Sequence, residues 1–176
     1  MHLKHCVITS VDRDDLEDGG AEFWALTVRR IKEKTPHVTI ETLIPDFDGN
    51  ETLIEKIIAA RPEIISHNME TVRRLTPLIR SRAKYDVSLR TIEIIAKSGA
   101  VKAKSGIMVG LGETEEEVLQ TMDDLRAAGC KVFTIGQYLQ PTRNHLPVAE
   151  YVTPEQFKKY KEMGLAKGFD FVESGP

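Results

Sequence analysis

Short β-branched runs recur along the whole chain, at Cys6–Thr9, Val38–Leu43, Glu63–Ser66, Ala103–Val109, Lys131–Ile135 and Asp170–Val172. Between them, apolar residues fall three and four apart: Trp24, Val28 and Ile31; Leu53, Ile54, Ile57 and Ile58; Val118, Met122 and Leu125. Strand-then-helix alternation at intervals of roughly 25–40 residues predicts βαβ units and a parallel sheet. Start and stop signals agree. Thr114-Glu115-Glu116-Glu117 has the form of a capping box and Gly129 a stop, while Thr153-Pro154-Glu155-Gln156 has the form of a second box with Pro at the first helical position. The strands lack period-2 alternation, which predicts burial on both faces. Six strands fall short of an eight-stranded barrel, which takes about 250 residues. A partial barrel or an open doubly wound sheet remains, as one domain over residues 1–176.

Composition narrows the function classes. Hydrophobic residues make up 41% and charged residues 29% of 176, as in an ordinary globular chain. A net charge of -3 gives no electrostatic footprint for nucleic acid. No apolar run approaches the roughly 18 residues of a membrane helix, so no membrane partner is expected. The first five residues contain no secretory core, which predicts a cytoplasmic setting. Two cysteines, Cys6 and Cys130, are too few for a disulfide framework, a thiolate zinc site or a cysteine-ligated iron–sulfur cluster, and both are expected as buried thiols.

Ligands in parallel α/β folds bind at the carboxyl ends of strands. Five strand exits are rich in polar residues and glycine: 9–15, 44–49, 67–70, 110–113 and 136–141. The first is an acidic loop with Asp12, Asp14, Asp15, Glu17 and Asp18. It fails the calcium template because Leu16 stands where an oxygen ligand is needed. Magnesium on one or two acids, a solvated loop with Asp18 at a helix start, and a ligand rim with approachable amides at Gly19-Gly20 stay open. Gly110-Leu111-Gly112 fails the dinucleotide fingerprint, since Glu115 stands where its last glycine belongs. Asn68 and Glu70 suit either a vicinal diol or a cap on a helix over 71–78. His2, His5, His37, His67 and His145 form no ligand cluster. Lys104, inside a strand, is either a Schiff-base amine or the partner of a nearby acid.

Taken together, VITSVDRDDLEDGGA (7–21), ETLIPDFDGN (41–50), HNMETV (67–72), KSGIMVGLGETEEEV (104–118), TIGQYLQPTRNHLPVAEYVTPEQF (134–157) and the GF…SGP end (168–176) resemble the lipoyl synthases, a family of radical S-adenosylmethionine (SAM) enzymes, in order along essentially the entire chain. The resemblance implies a partial (β/α)6 TIM-like barrel. It also implies insertion of two sulfur atoms, at C6 and C8 of an octanoyl chain on a lipoyl carrier protein, with an external reductant. Its cofactors would be SAM and two [4Fe–4S] clusters, one cleaving SAM to a 5′-deoxyadenosyl radical and one supplying sulfur.

Carried over by matching motif, Thr9, Ser10, Asp12, Asp14, Gly19 and Gly20 resemble the region that receives the methionine end of SAM. Asn68 and Glu70 resemble the polar group at its ribose. Gly106, Gly110 and Glu113, with Met108 in an Ile position, resemble the glycine-rich strand beside the adenine. Gln137, Tyr138 and Leu139 resemble contacts to the adenosyl group, and Arg143 and His145 residues near a substrate entrance. The resemblance puts Met1 just ahead of the barrel's second strand, with the first strand and both cysteine motifs expected upstream and a serine-bearing tail beyond Pro176. It therefore predicts no catalytic residue, no metal ligand and no activity in this polypeptide alone. Two alternatives are a non-catalytic barrel module that pairs with a cysteine-bearing segment, and an unrelated Lys104 aldolase.

Overall fold

A computed structural model describes residues 3–80 and 82–176. Six parallel strands lie side by side in chain order: β1 (His5–Thr9), β2 (Thr39–Leu43), β3 (Ile64–Ser66), β4 (Lys102–Val109), β5 (Val132–Gln137) and β6 (Phe171–Ser174). The helices α1 (Ala21–Lys34), α2 (Glu51–Ala59), α3 (Thr76–Ile79), α4 (Tyr85–Lys97), α5 (Glu115–Ala127) and α6 (Pro154–Ala166) connect them. Six strands are one more than a (β/α)6 barrel stripped of its first would retain, because β6 adds an edge strand after α6.

The order contains no reversal. Right-handed crossovers that always step the same way leave every helix on one face. This excludes the doubly wound alternative. Consecutive positions of β2, β3 and β4 are buried, so the expectation of strands buried on both faces holds in mid-sheet and fails at the β1 edge. Ile40, Ile65, Ala103, Ile107, Phe133, Ile135 and Val172 are buried toward the helices, against Ile57, Ile95, Met122, Leu125 and Phe157. The opposite face carries Glu41, Ser66, Lys104, Thr134 and Glu173. Along β1, burial alternates between half-buried and exposed positions. Periodicity was invisible because the open-face positions mix apolar residues such as Val7 and Met108 with charged ones.

Helix α4 has no counterpart in the sequence reading. Its buried side includes Ser88 and Thr91, which interrupt the apolar stripe. Both hydroxyls have partners: Ser88 Oγ lies 2.9 Å from His67 Nε2, and Thr91 Oγ1 donates to the Asp46 and Val87 carbonyls. The Thr114 box closes reciprocally, and Gly129 at φ 87° ends α5. The second box is only half formed. Thr153 accepts from the Gln156 amide, but the Gln156 side chain donates to Glu115 on α5 instead of returning to Thr153. Among the described residues no helix is long and apolar enough to cross a membrane.

Candidate functional site

The carboxyl ends of β3 to β6 open onto a cavity of about 410 Å³ on the helix-free face. Asn68 and Glu70 form one wall, Gly106 and Met108 the floor, and Thr134, Gly136 and Glu173 the far side. Asn68 and Glu70 do not cap a helix. Glu70 instead bridges β4: its amide donates to Gly106 O at 3.1 Å and its carbonyl accepts from the Met108 amide at 2.8 Å. The bend requires a left-handed backbone at Glu70, with φ 65°, uncommon without glycine. Burial pushes the Glu70 carboxyl above its usual range, while the charge of Arg80 and a hydrogen bond from Asn68 pull it back.

Gly106 and Gly136 show why glycine stands in this wall. A Cβ on Gly106 would lie 2.4 Å from Thr134 Oγ1, so β4 and β5 meet tightly there. A Cβ on Gly136 would meet nothing within 4 Å. That is open space against a strand end, bounded by a carboxylate and an amide, and its chemistry fits a flat ring joined to a diol.

Other candidate residues lie elsewhere. Asp12, Asp14 and Gly19 line a second cavity, of about 870 Å³, with Arg80, Arg82 and Lys84. Asp14 in it pairs with Arg82; nearby in the same loop, Asp15 pairs with Arg13 at 2.6 Å, and Asp18 accepts from the Gly20 and Glu22 amides at the start of α1. The Gly19 amide donates to Leu16 O, and Gly19 passes against the Phe47 ring. The amides of Gly19 and Gly20 thus serve the chain itself. Thr9 and Ser10 are exposed at the end of β1, and the Ser10 hydroxyl donates to Val11 O.

Gly110, Gln137 and Tyr138 anchor the segment that follows β5. Gln137 Nε2 donates to Tyr138 O and Glu150 O, its Oε1 accepts from the Val152 amide, and Tyr138 Oη donates to Leu146 O. Glu113 accepts from the Gly110 and Leu111 amides. Leu139, Arg143 and His145 are exposed outside either cavity, with His145 bonded to Thr142. Thr134 and Glu173 were missed by the sequence reading. The only signal was a polar residue at an alternate position in a short strand.

Lys104 Nζ lies 2.7 Å from Glu41 Oε1, which also accepts from Ser66, with His5 at 3.8 Å from Oε2. The Lys104 amine is thus occupied by an ion pair with a buried carboxylate, the second of the two readings of this residue.

Among the described residues, no three His, Cys, Asp or Glu stand together so as to hold a metal ion; His2 lies outside them. Cys130 is wholly buried, its thiol pushed up to about 12 by desolvation, and Cys6 is half-buried in β1. Two cysteines, one of them buried with a raised thiol, fall short of the thiolate set of an iron–sulfur cluster, so the residues of this chain do not fit one.

A family model for the radical SAM superfamily matches residues 1–125. The chain belongs to the radical SAM superfamily. Membership implies SAM and a [4Fe–4S] cluster as the cofactors of the family. Lipoyl synthase of Treponema denticola is 61% identical over 176 residues, all of this chain and 60% of that protein. Lipoyl synthase of Bacteroides thetaiotaomicron is 64% identical over the same span, 62% of its length. The chain thus spans about three fifths of these relatives. Among solved structures, methylornithine synthase superposes with a TM-score of 0.70 at 13% identity, over 97% of this chain and 57% of that one. A domain of pyruvate-formate lyase-activating enzyme from Bacteroides vulgatus gives 0.68 at 10% identity, over 96% and 98%. At these identities the likeness is one of fold.

Proposed function

We propose that this chain is the nucleoside-binding part of a lipoyl synthase, the enzyme that inserts sulfur at C6 and C8 of an octanoyl group on a lipoyl carrier protein. The observation that carries the reading is the Asn68–Glu70 pair on the wall of the β3–β6 cavity, facing the open space at Gly136. Identity near 60% to two lipoyl synthases over every residue supports the same reading. When bound, SAM supplies a radical able to remove hydrogen from an unactivated carbon. The work of these residues is to seat its nucleoside: Glu70 and Asn68 bond the ribose hydroxyls, and Gly136 leaves room for the ring. Thr9 and Ser10, at the end of β1, lie toward the methionine end, whereas Asp12, Asp14 and Gly19 line the second cavity and the Gly19 and Gly20 amides are engaged within the chain. Gly110, Gln137, Tyr138 and Leu139 shape the segment over the adenine, with Arg143 and His145 at the substrate entrance.

Because the two cysteines fit no cluster, the polypeptide by itself has no SAM-cleaving activity. It acquires activity only beside a segment that supplies the cysteines. Among the described residues β1 is an edge strand of the sheet, and the amides and carbonyls of an edge accept a partner strand, which supports the assembly reading. The test is release of 5′-deoxyadenosine, with an octanoylated carrier and a low-potential reductant, after anaerobic iron and sulfide treatment. The chain alone is expected to release none, and the chain mixed with the cysteine-bearing N-terminal segment of a lipoyl synthase is expected to release it. Release by the chain alone, above a control without SAM, overturns the inactivity. Silence of the mixture, when the intact relative is active in the same assay, removes the assembly reading.

A further inference from the structure

Beneath the Asn68–Glu70 wall lies a chain of hydrogen bonds through His67, Ser88 and Arg80. His67 is 2% exposed. Its Nδ1 lies 3.0 Å from Ile44 O and its Nε2 2.9 Å from Ser88 Oγ, which lies 2.9 Å from Arg80 Nη1. A carbonyl only accepts, so Nδ1 carries the proton, and guanidinium only donates, so Arg80 gives its N–H to Ser88 Oγ. With the imidazole neutral, Nε2 is the acceptor of the Ser88 hydroxyl hydrogen. Burial and the nearby Arg80 charge keep His67 neutral.

The relay ends at a cation in a useful place. The same Nη1 reaches the Asn68 carbonyl at 3.3 Å. Arg80 has no carboxylate within salt-bridge distance among the described residues, while its charge acts on Glu70. Glu70 therefore sits in a left-handed backbone held from two sides, by β4 through its amide and carbonyl and by Arg80 through Asn68. An ionised carboxylate and an oriented amide are what a vicinal diol requires. On one side of the peptide, strand pairing fixes Glu70. On the other, among the described residues, Arg80 anchors the Asn68 carbonyl.

We propose that Arg80, seated by Ser88 and His67, is a positioning residue that holds the Asn68–Glu70 segment in register with a ribose diol. The inference rests on the nucleoside reading of the cavity. Arg80 touches the segment, not the reacting atoms, so its loss should be felt at the hydroxyls and not at the ring.

Two nucleosides separate these effects. Adenosine and 2′,3′-dideoxyadenosine are titrated by calorimetry into the unmodified 176-residue chain, Arg80→Met, Arg80→Lys and Ser88→Ala. The unmodified chain should prefer adenosine about tenfold, the size of a charge-assisted hydrogen bond. Arg80→Met should bring the preference close to one while leaving dideoxyadenosine affinity unchanged. Arg80→Lys, which keeps the charge but not the fork, should recover part of it. A full preference in Arg80→Met, or an equal loss for both nucleosides, overturns the positioning role; the latter is what a merely structural arginine would give. If circular dichroism shows Arg80→Met unfolded, Ser88→Ala decides: a fall in the preference supports the role, and no change overturns it. An unmodified chain that binds neither nucleoside, or both equally, removes the nucleoside reading itself.

Discussion

At the scale of single residues, two glycines in one wall do opposite work. Gly106 is glycine because Thr134 leaves it no room, and Gly136 because a side chain there would fill the cavity. Gly106→Ala should destabilise the fold by about 1–3 kcal/mol through overpacking, read as a lower urea midpoint. Gly136→Val should change stability by no more than about 0.5 kcal/mol, as at open sites, yet lower adenosine affinity by about tenfold or more. Equal effects of both changes on stability would contradict the assignment. His67 makes a second residue-level prediction. Its imidazole is depressed to about 4, from an ordinary value of 6.5. Between those values the unfolded chain binds a proton that the folded chain does not. Stability therefore falls as pH drops from 6.5 toward 4, by on the order of 3 kcal/mol at most. Carboxylates held low by partners, such as Asp18 and Glu117, begin to lose their contribution only as pH falls into the ordinary carboxylate range, and lose the rest below it. Urea midpoints between pH 7 and pH 4.5 should show the slope, and His67→Gln should flatten it.

At the scale of elements, helix α5 shows how a local signal gains tertiary weight. Thr114 caps it, and Glu117 both returns to the Thr114 amide and holds Arg74, which in turn donates to Gly112 O at 2.8 Å. The capping box thereby steadies the glycine-rich turn after β4. Thr114→Ala should cost about 1 kcal/mol, as N-cap losses do. Glu117→Ala should cost more, because it releases Arg74 as well, and the double variant should be less than additive. Thermal unfolding of the three variants checks this; strict additivity would mean that box and bridge act separately. Helix α4 is the converse case. Its polar buried residues Ser88 and Thr91 make it poor as an apolar stripe, yet Ser88 connects it to the cavity wall through His67 and Arg80, and Thr91 ties it to Asp46.

At the scale of the molecule, the helix-free face of the sheet is organised by one ion pair. Lys104 of β4 reaches across β3 to Glu41 of β2, whose side chain is 6% exposed. Ser66 from the strand between them completes the carboxylate's bonding. Lys104→Met would leave a buried carboxylate short of its cation and should cost about 3 kcal/mol, the low end for a buried pair because Lys104 is about a fifth exposed. Replacing both, as Glu41→Leu with Lys104→Met, should recover most of that loss. Chemical unfolding of the single and double variants gives the answer. A double variant no more stable than Lys104→Met would show that Glu41 is not left in need of its cation.

The amino-acid sequence by itself determined the six strands, four of the helices, the cap of α5, and the Asn68–Glu70 pair as a polar group at a strand end, because each depends on neighbours within a few residues. Family membership was legible for the same reason, in ordered motifs. Only the tertiary structure decided that all the helices lie on one face, since that follows from strand order. It also decided which polar groups meet: Thr134 and Glu173 reach the cavity from strands far along the chain, while Asp12 and Asp14 turn to a second one. Arg80 carries no signal in its own segment. Its role arises where Ile44, His67 and Ser88, separated by up to 44 positions, converge through buried hydrogen bonds.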